Sequence, residues 1–272
     1  MKDEISQGIS ILIPTWNNLK YLKLCVDSIR KNSLYSHEII LHINDGSDGT
    51  LEWAKQENLK YSYSQSNVGV CKSMNTAFTL STKDIIGYFN DDMVALPGWD
   101  EELDNFLKTY QPEENNIIIS STMIEPRGHN DCCIAPLDYG QDIDTFRYND
   151  LLKNLDEIRK LKPNIKGTTW PPNYMHRSLW NLIDGYSEDF SPGYGSDPDL
   201  IKKAYDKGTR NFVSIGASLV YHFGSKTTGI KQFHGNDGEG IFLQKHNITI
   251  QSYVYNVLKR TEKFENLEPF YK

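Results

Sequence analysis

The triplet Asn90-Asp91-Asp92 follows an apolar run, Ile85-Ile86-Gly87-Tyr88-Phe89. The run has the length and composition of a strand buried on both faces of a parallel sheet. Such a strand delivers whatever follows it to the carboxyl edge of the sheet, where open α/β sheets bind ligands. Neighbouring carboxylates repel each other unless solvent, a donor group or a cation offsets the charge. A divalent cation bridging to phosphate is one solution, because hard cations prefer oxygen ligands and leave positions open for phosphate. Taken alone, the triplet reads first as a solvated turn, since Asn and Asp are ordinary turn residues. More chemistry-bearing side chains follow at Glu188-Asp189, at Gly195-Ser196-Asp197-Pro198-Asp199 and at His222, which ends a short apolar run.

The elements that must position these residues alternate in type. Ile9 to Ile13 is apolar, β-branched and stopped by Pro14, which predicts a first strand. Leu19, Leu22, Val26 and Ile29 then recur at helical spacing, with Asn17 or Asn18 placed to cap the helix. Glu38 to Ile43 predicts a second strand, residues 51–58 a helix, Tyr61 and Tyr63 a short third strand, and residues 69–80 another helix. The fourth strand is the one that ends at Asn90. This alternation predicts a parallel sheet covered on both faces by helices. Pro97-Gly98-Trp99 opens a helix to about Tyr110, and Ile117 to Ile119 predicts a further strand. Periodicity is then lost from Ser121 to about Asp150, which predicts an excursion from the sheet before a helix over residues 151–161. Asn211 to Ile215 and Ser218 to Tyr221 predict two short strands, and the Gly-rich tail two weak helices.

Bulk composition excludes several classes. The 272 residues are 38% hydrophobic, with 29 basic against 36 acidic side chains and a formal charge of −7. No Lys/Arg run supplies the basic footprint of a nucleic-acid binder. No stretch approaches the roughly 18 apolar residues of a spanning helix, and the N-terminal residues lack the pattern of a secretory signal. The four cysteines, with Cys132 and Cys133 adjacent, form neither a disulfide framework nor a zinc pattern. A cytoplasmic location is expected, with peripheral attachment to a membrane left open.

Six separated segments, "SILIPTWNN", "INDGSDGT", "SNVGVCKSMNTA", "GYFNDDMVALPGW", "GYSEDFSPGYGSDPDLIKKAYDKG" and "VYHFGS", occur in an order and spacing that resembles the inverting, family-2-type glycosyltransferases of the GT-A fold. The resemblance runs from residue 10 to residue 225. It implies an α/β fold with a Rossmann-like, mostly parallel sheet flanked by helices and a smaller acceptor-side region. It implies a single domain over residues 1–222, with 1–120 as the nucleotide-sugar half and 121–222 as the acceptor and catalytic half, followed by a lid and tail over 223–272. Pro14, Thr15 and Trp16 match the turn beside the nucleobase, and an indole is suited to stacking on a base. Asp45 matches the carboxylate that accepts from a base N–H, while Asn67 and Gly69 border the nucleoside. Where many relatives carry an arginine, this chain has Met74. Asn90 and Asp91 match positions near the ribose, Asp92 matches a metal ligand, and His222 a second one. Oxygen donors with one imidazole suit Mn²⁺ or Mg²⁺. Asp197 matches the catalytic base, with Ser196 in place of the usual Glu and Asp199 as its neighbouring candidate. The Gly-rich tail after His222 is expected to close over the donor and exclude water, with Lys226 reaching the diphosphate.

The implied partners are a nucleoside diphosphate sugar, UDP favoured, and an unidentified hydroxyl acceptor. Residues 121–175, including Trp170, Pro171, Pro172 and Tyr174, are expected on the acceptor side. Three other readings stay open: a retaining transferase of the same fold, a nucleotidyltransferase, and a non-catalytic nucleotide- or sugar-binding protein. The nucleotidyltransferase is disfavoured because Pro14-Thr15-Trp16-Asn17 stands where a Gly- and Lys/Arg-rich phosphate loop is needed.

Overall fold

A computed structural model describes residues 5–127, 134–224 and 235–271. The first half runs β1 (Ile9–Trp16), α1 (Leu19–Asn32), β2 (Glu38–Asn44), α2 (Thr50–Gln56), β3 (Lys60–Ser64), α3 (Gly69–Phe78), β4 (Ile85–Tyr88), β5 (Met93–Ala95) and α4 (Trp99–Tyr110). The second runs β6 (Ile117–Glu125), β7 (Ile134–Pro136), α5 (Tyr148–Lys153), α6 (Leu155–Ile158), β8 (Ile165–Lys166), β9 (Asn173–His176), α7 (Arg177–Ile183), α8 (Ser196–Asp206), β10 (Asn211–His222), α9 (Gly238–His246) and α10 (Ile250–Ser252).

One sheet takes both halves, in the order β3-β2-β1-β4-β9-β6-β10-β5, with β7 on β6 and β8 on β10. β3, β2, β1 and β4 are parallel, as are β6 and β10, whereas β9 runs antiparallel to both β4 and β6. Period-two alternation explains how both faces are filled. Ile9, Ile11 and Ile13 pack with Leu22 and Val26 of α1 and with Trp99 and Leu103 of α4, while Leu12 points into a second cluster with Met74 of α3, Trp180 of α7 and Leu200 of α8. A third cluster joins Leu151 and Leu155 to Ile124 and Tyr221.

Pro14 does not stop β1; it lies within it, opposite His42 of β2. Phe89 N–H donates to the Leu12 carbonyl, so even-numbered residues of β1 face β4. β4 ends opposite Leu12, so Pro14 costs no ladder bond at that unpaired position. The excursion expected from Ser121 to about Asp150 begins later, after β7, and carries α5 and α6 before the chain returns to the sheet at β8. Residues 121–125 continue β6, and β9 fills the gap between β4 and β6 at the centre of the sheet. β9 carries no alternation because Asn173, Tyr174 and Met175 are all buried. The two strands expected near residues 211–221 are one, β10, with a register shift between Ile215 and Leu219. The segment containing Lys226 and Gly229 lies outside the described residues. The tail end packs at the amino edge of the sheet, where the Glu268 carbonyl accepts from Asn116 and Asn211 side chains at the starts of β6 and β10.

Candidate functional site

The carboxyl ends of β1, β2, β4, β6 and β10 surround a cavity of about 480 Å³. Its acidic centre is built by strand pairing. β5 and β10 are antiparallel with Met93 opposite His222, and the Phe223 N–H donates to the Asp92 carbonyl at 3.2 Å. That register sets the Asp92 side chain beside the imidazole, with Oδ1 3.1 Å from His222 Nε2. Glu125, the last residue of β6, holds the other ring nitrogen, Nδ1, at 2.5 Å. Burial disfavours a charge on His222, but Asp92 and Glu125 outweigh it and push its pKa up to about 10. A histidine between two carboxylates, one aimed into the cavity and one behind, is the arrangement in which an outer carboxylate orients a metal-ligating ring.

The donor set fits a divalent cation. Two donors on adjacent corners of an octahedron with bonds near 2.1 Å are about 3.0 Å apart, and Asp92 Oδ1 and His222 Nε2 are separated by 3.1 Å. Among the described residues no three His, Cys, Asp or Glu side chains converge as a ligand set, so such an ion would rest on two protein donors and take its remaining ligands from substrate or water.

Asp91 lines the same cavity but its carboxylate turns toward β1. Oδ2 accepts from Thr15 Oγ1 at 2.6 Å and Oδ1 from Asn18 Nδ2 at 2.9 Å. Asn18 precedes α1 but makes no side-chain cap bond, and Asp48 Oδ2 accepts the Leu19 N–H. This network ties the β1–α1 turn, with Trp16, to the turn carrying Asp92.

On the other side of the cavity stands Asp197, in the first turn of α8. Gly195 precedes the helix with φ +85°, and the Ser196 hydroxyl donates to the Gly193 carbonyl. Residue 196 is thus used in shaping the turn. The Tyr186 hydroxyl donates to Asp197 Oδ1 at 3.0 Å. Burial raises the Asp197 pKa to about 7, with the Tyr186 bond pulling the other way. A carboxylate poised near neutrality suits a general base. Asp199 has a different fate. It is fully buried and accepts from Ser187 Oγ at 2.6 Å, with His246 Nε2 at 2.7 Å and Lys245 Nζ at 3.0 Å. It fastens α9 to α8 and does not line the cavity.

Pro14, Thr15, Trp16, Asn67, Gly69, Asn90, Asp91, Asp92, Asp197 and His222 all line this one cavity. Asp45 is not among its lining residues. It lies at the turn after β2 with φ +65°, where its Oδ2 accepts from Asn17 Nδ2 at 2.8 Å. Its neighbour Asn44 lines the cavity, accepting the Val68 N–H and donating to Ser73 Oγ. Gly69 has φ +81°, and a Cβ there would stand 2.9 Å from Pro192 Cα. Its open space therefore admits the loop before α8, whose Pro192 carbonyl also accepts the Val70 N–H. Met74 is fully buried among Cys71 and Ala77. Trp170 and Pro171 line the cavity, whereas Tyr174 is a core residue stacked on Trp99.

Sequence reasoning missed Glu125 and Tyr186. Glu125 carries a signal, an acid that follows the apolar pair Met123-Ile124, but the strand expected over Ile117 to Ile119 stops short of it. Tyr186 had none, because its partner lies eleven residues away across a loop.

The model of glycosyl transferase family 2 matches residues 10–179, more than half of the chain. The chain belongs to glycosyl transferase family 2. The chain is 27% identical over 116 residues to "Putative glycosyltransferase EpsH" of Bacillus subtilis (strain 168), a match over 41% of this chain and 33% of EpsH. Among solved structures, the S. aureus TarS 1–349 fragment superposes with a TM-score of 0.56 at 16% identity, over 79% of this chain and 60% of that one. The same fragment in complex with UDP-GlcNAc gives 0.57 at 15% identity, over 79% and 58%. The chain thus spans about a third of EpsH and three-fifths of the TarS fragment. The likeness confirms the GT-A fold, a curled mixed sheet flanked by helices. The family match ends before α8 and β10, so Asp197 and His222 rest on the geometry described above.

Proposed function

We propose that this family-2 chain transfers one sugar from a nucleoside diphosphate sugar, UDP favoured, to an acceptor hydroxyl with inversion at the anomeric carbon. The observation that carries the reading is the placement of Asp197 in the same cavity as the Asp92–His222 pair while Asp199 is consumed by α9. A TarS fragment of the same fold has been crystallised with UDP-GlcNAc, which supports the donor class.

Trp16, Asn67 and Asn90 would border the nucleoside, and Asp91 would keep the β1–α1 turn in place for it. Asp92 and His222 would hold Mn²⁺ or Mg²⁺, which when bound supplies positive charge to the leaving diphosphate. Asp197 accepts the acceptor proton on Oδ2 or Oδ1. The acceptor oxygen forms its bond to the anomeric carbon as the bond to the diphosphate oxygen breaks, and the electron pair leaves with the nucleoside diphosphate. Direct displacement of this kind inverts the centre and needs the base opposite the leaving group.

The test is turnover of a nucleotide-sugar panel with Mn²⁺ or Mg²⁺, with NMR of the product's anomeric configuration. Asp92→Ala and Asp197→Asn should each lose about 10²–10⁴-fold in rate while keeping the native circular dichroism. Full activity in both variants would overturn the site, and a retained configuration would overturn inversion.

A further inference from the structure

We propose that the mouth of this cavity is a subsite for an uncharged saccharide acceptor, with Trp170 and Tyr194 as the surfaces on which its rings stack. The inference rests on the glycosyl-transfer reading and adds the acceptor class.

The two aromatics come from different connections. Trp170 precedes β9, whose Asn173 pairs with Tyr88 at the end of β4, so the indole stands at the carboxyl edge beside the Asn90-Asp91-Asp92 turn. Tyr194 lies in the loop that leads into α8, three positions before Asp197. Both line the cavity, yet Trp170 is 37% exposed and Tyr194 57% exposed. Large aromatic faces left open at a cavity mouth point to a ligand with apolar faces and polar edges. A pyranose has that form, with axial C–H groups on its faces and hydroxyls around its rim.

Both segments are also restrained in advance of binding. Asn236 clasps the Tyr194 backbone, its Oδ1 accepting the N–H at 3.1 Å and its Nδ2 donating to the carbonyl at 2.8 Å, and Glu239 Oε1 accepts from the phenol at 3.3 Å. Trp170 is followed by two prolines, whose fixed φ angles restrain the segment. A platform ordered on folding loses less entropy when a ligand settles on it.

On the described residues, the charge at the cavity disfavours an acidic acceptor. Among the described residues lining the cavity there is no lysine or arginine, while Asp91, Asp92, Glu125 and Asp197 contribute carboxylates. A cation on Asp92 and His222 would be matched by the donor's diphosphate. That leaves nothing on these residues to attract a phosphate- or carboxylate-bearing acceptor, and Asp197 would repel one. A neutral saccharide hydroxyl meets no such cost.

The test uses the full chain with UDP and Mn²⁺ present, probed by saturation-transfer NMR with cellobiose, chitobiose, maltose and lactose, and in parallel with glucose 6-phosphate and glycerol phosphate. The expected result is binding of a neutral disaccharide through its C–H protons, weakened about tenfold or more by Trp170→Ala and by Tyr194→Ala and partly kept by Trp170→Phe and Tyr194→Phe. UDP affinity, measured by calorimetry, should be unchanged in all four variants. Absence of binding by every neutral disaccharide, binding insensitive to both alanine variants, or preference for the phosphorylated probes would each overturn the proposal. Failure of wild-type protein to bind UDP would instead overturn the transfer reading, and saccharide binding lost in the alanine variants would then stand as a sugar site without that donor.

Discussion

Removing one hydroxyl, in Tyr186→Phe, separates a base tuned by its surroundings from a carboxylate that only starts a helix. Tyr186 is buried, with ring contacts to Tyr88 and Trp180 that phenylalanine would keep. Burial and the Asp197 charge hold its phenol well above its ordinary pKa, so it stays a donor to Asp197 Oδ1 at 3.0 Å. Burial sets the Asp197 pKa at about 7 against the pull of that bond. A hydrogen bond to an ionised group is worth about 1.5–3 kcal/mol, and one pKa unit corresponds to about 1.36 kcal/mol. Loss of the bond should therefore lift the Asp197 pKa by roughly one to two units. A base works only when deprotonated, so the acid limb of kcat/KM against pH should move upward by that amount. At pH about 7 the ionised fraction falls from about a half to about 1–10%, a loss of roughly 5- to 50-fold that shrinks as pH rises beyond the new limb. The assay is the pH profile of kcat/KM for both proteins over the range in which circular dichroism stays native. An acid limb left at about 7 in the variant, with a uniform loss at every pH, would refute the coupling of Tyr186 to a general base.

Other perturbations separate the roles further. Because the Asp197 pKa is raised from 3.8 to about 7, the folded chain binds that proton more tightly than the unfolded chain, and ionisation costs stability. The cost is absent below about pH 4, grows through the window and is complete above about pH 7; Asp197→Asn should thus melt higher than wild type in alkaline buffer and equally at low pH, checked by calorimetry. Glu125→Gln leaves Asp92 and His222 in place but weakens the hold on Nδ1, and Mn²⁺ affinity in the presence of UDP should fall about 10–100-fold by titration calorimetry. His246→Ala breaks a buried contact to Asp199 while Lys245 still reaches the same oxygen. The loss should be about 1.5–3 kcal/mol, that of a hydrogen bond to a charged group, seen as a Tm drop of roughly 3–5 °C in a chain of this size.

What could be read from the sequence follows a physical divide. The parallel β-α alternation of residues 9–110 was legible because each element carries its own period and its own stop, and the motifs fall where short βα connections leave them. β9 was not legible, because a short strand buried on both faces loses alternation and is specified only by the neighbours that enclose it. The same holds within the site. Asp92 and His222 could be named from motif context, yet their meeting depends on the β5–β10 register, and Glu125 enters only once β6 is long enough to reach the edge. Asp197 and Asp199 show the limit most clearly. They are two residues apart on one helix turn, identical in chemistry, and no local rule separates them. Rotation by about 200° along a helix sends one toward the cavity and the other into the interior. There α9, forty-odd residues later in the chain, supplies His246 and Lys245 as its hydrogen-bond and ion-pair partners. On the proposed reading, the choice of base is therefore set by the packing of α9 on α8, which takes up Asp199 and leaves Asp197 at the cavity wall, where burial raises its pKa to about 7.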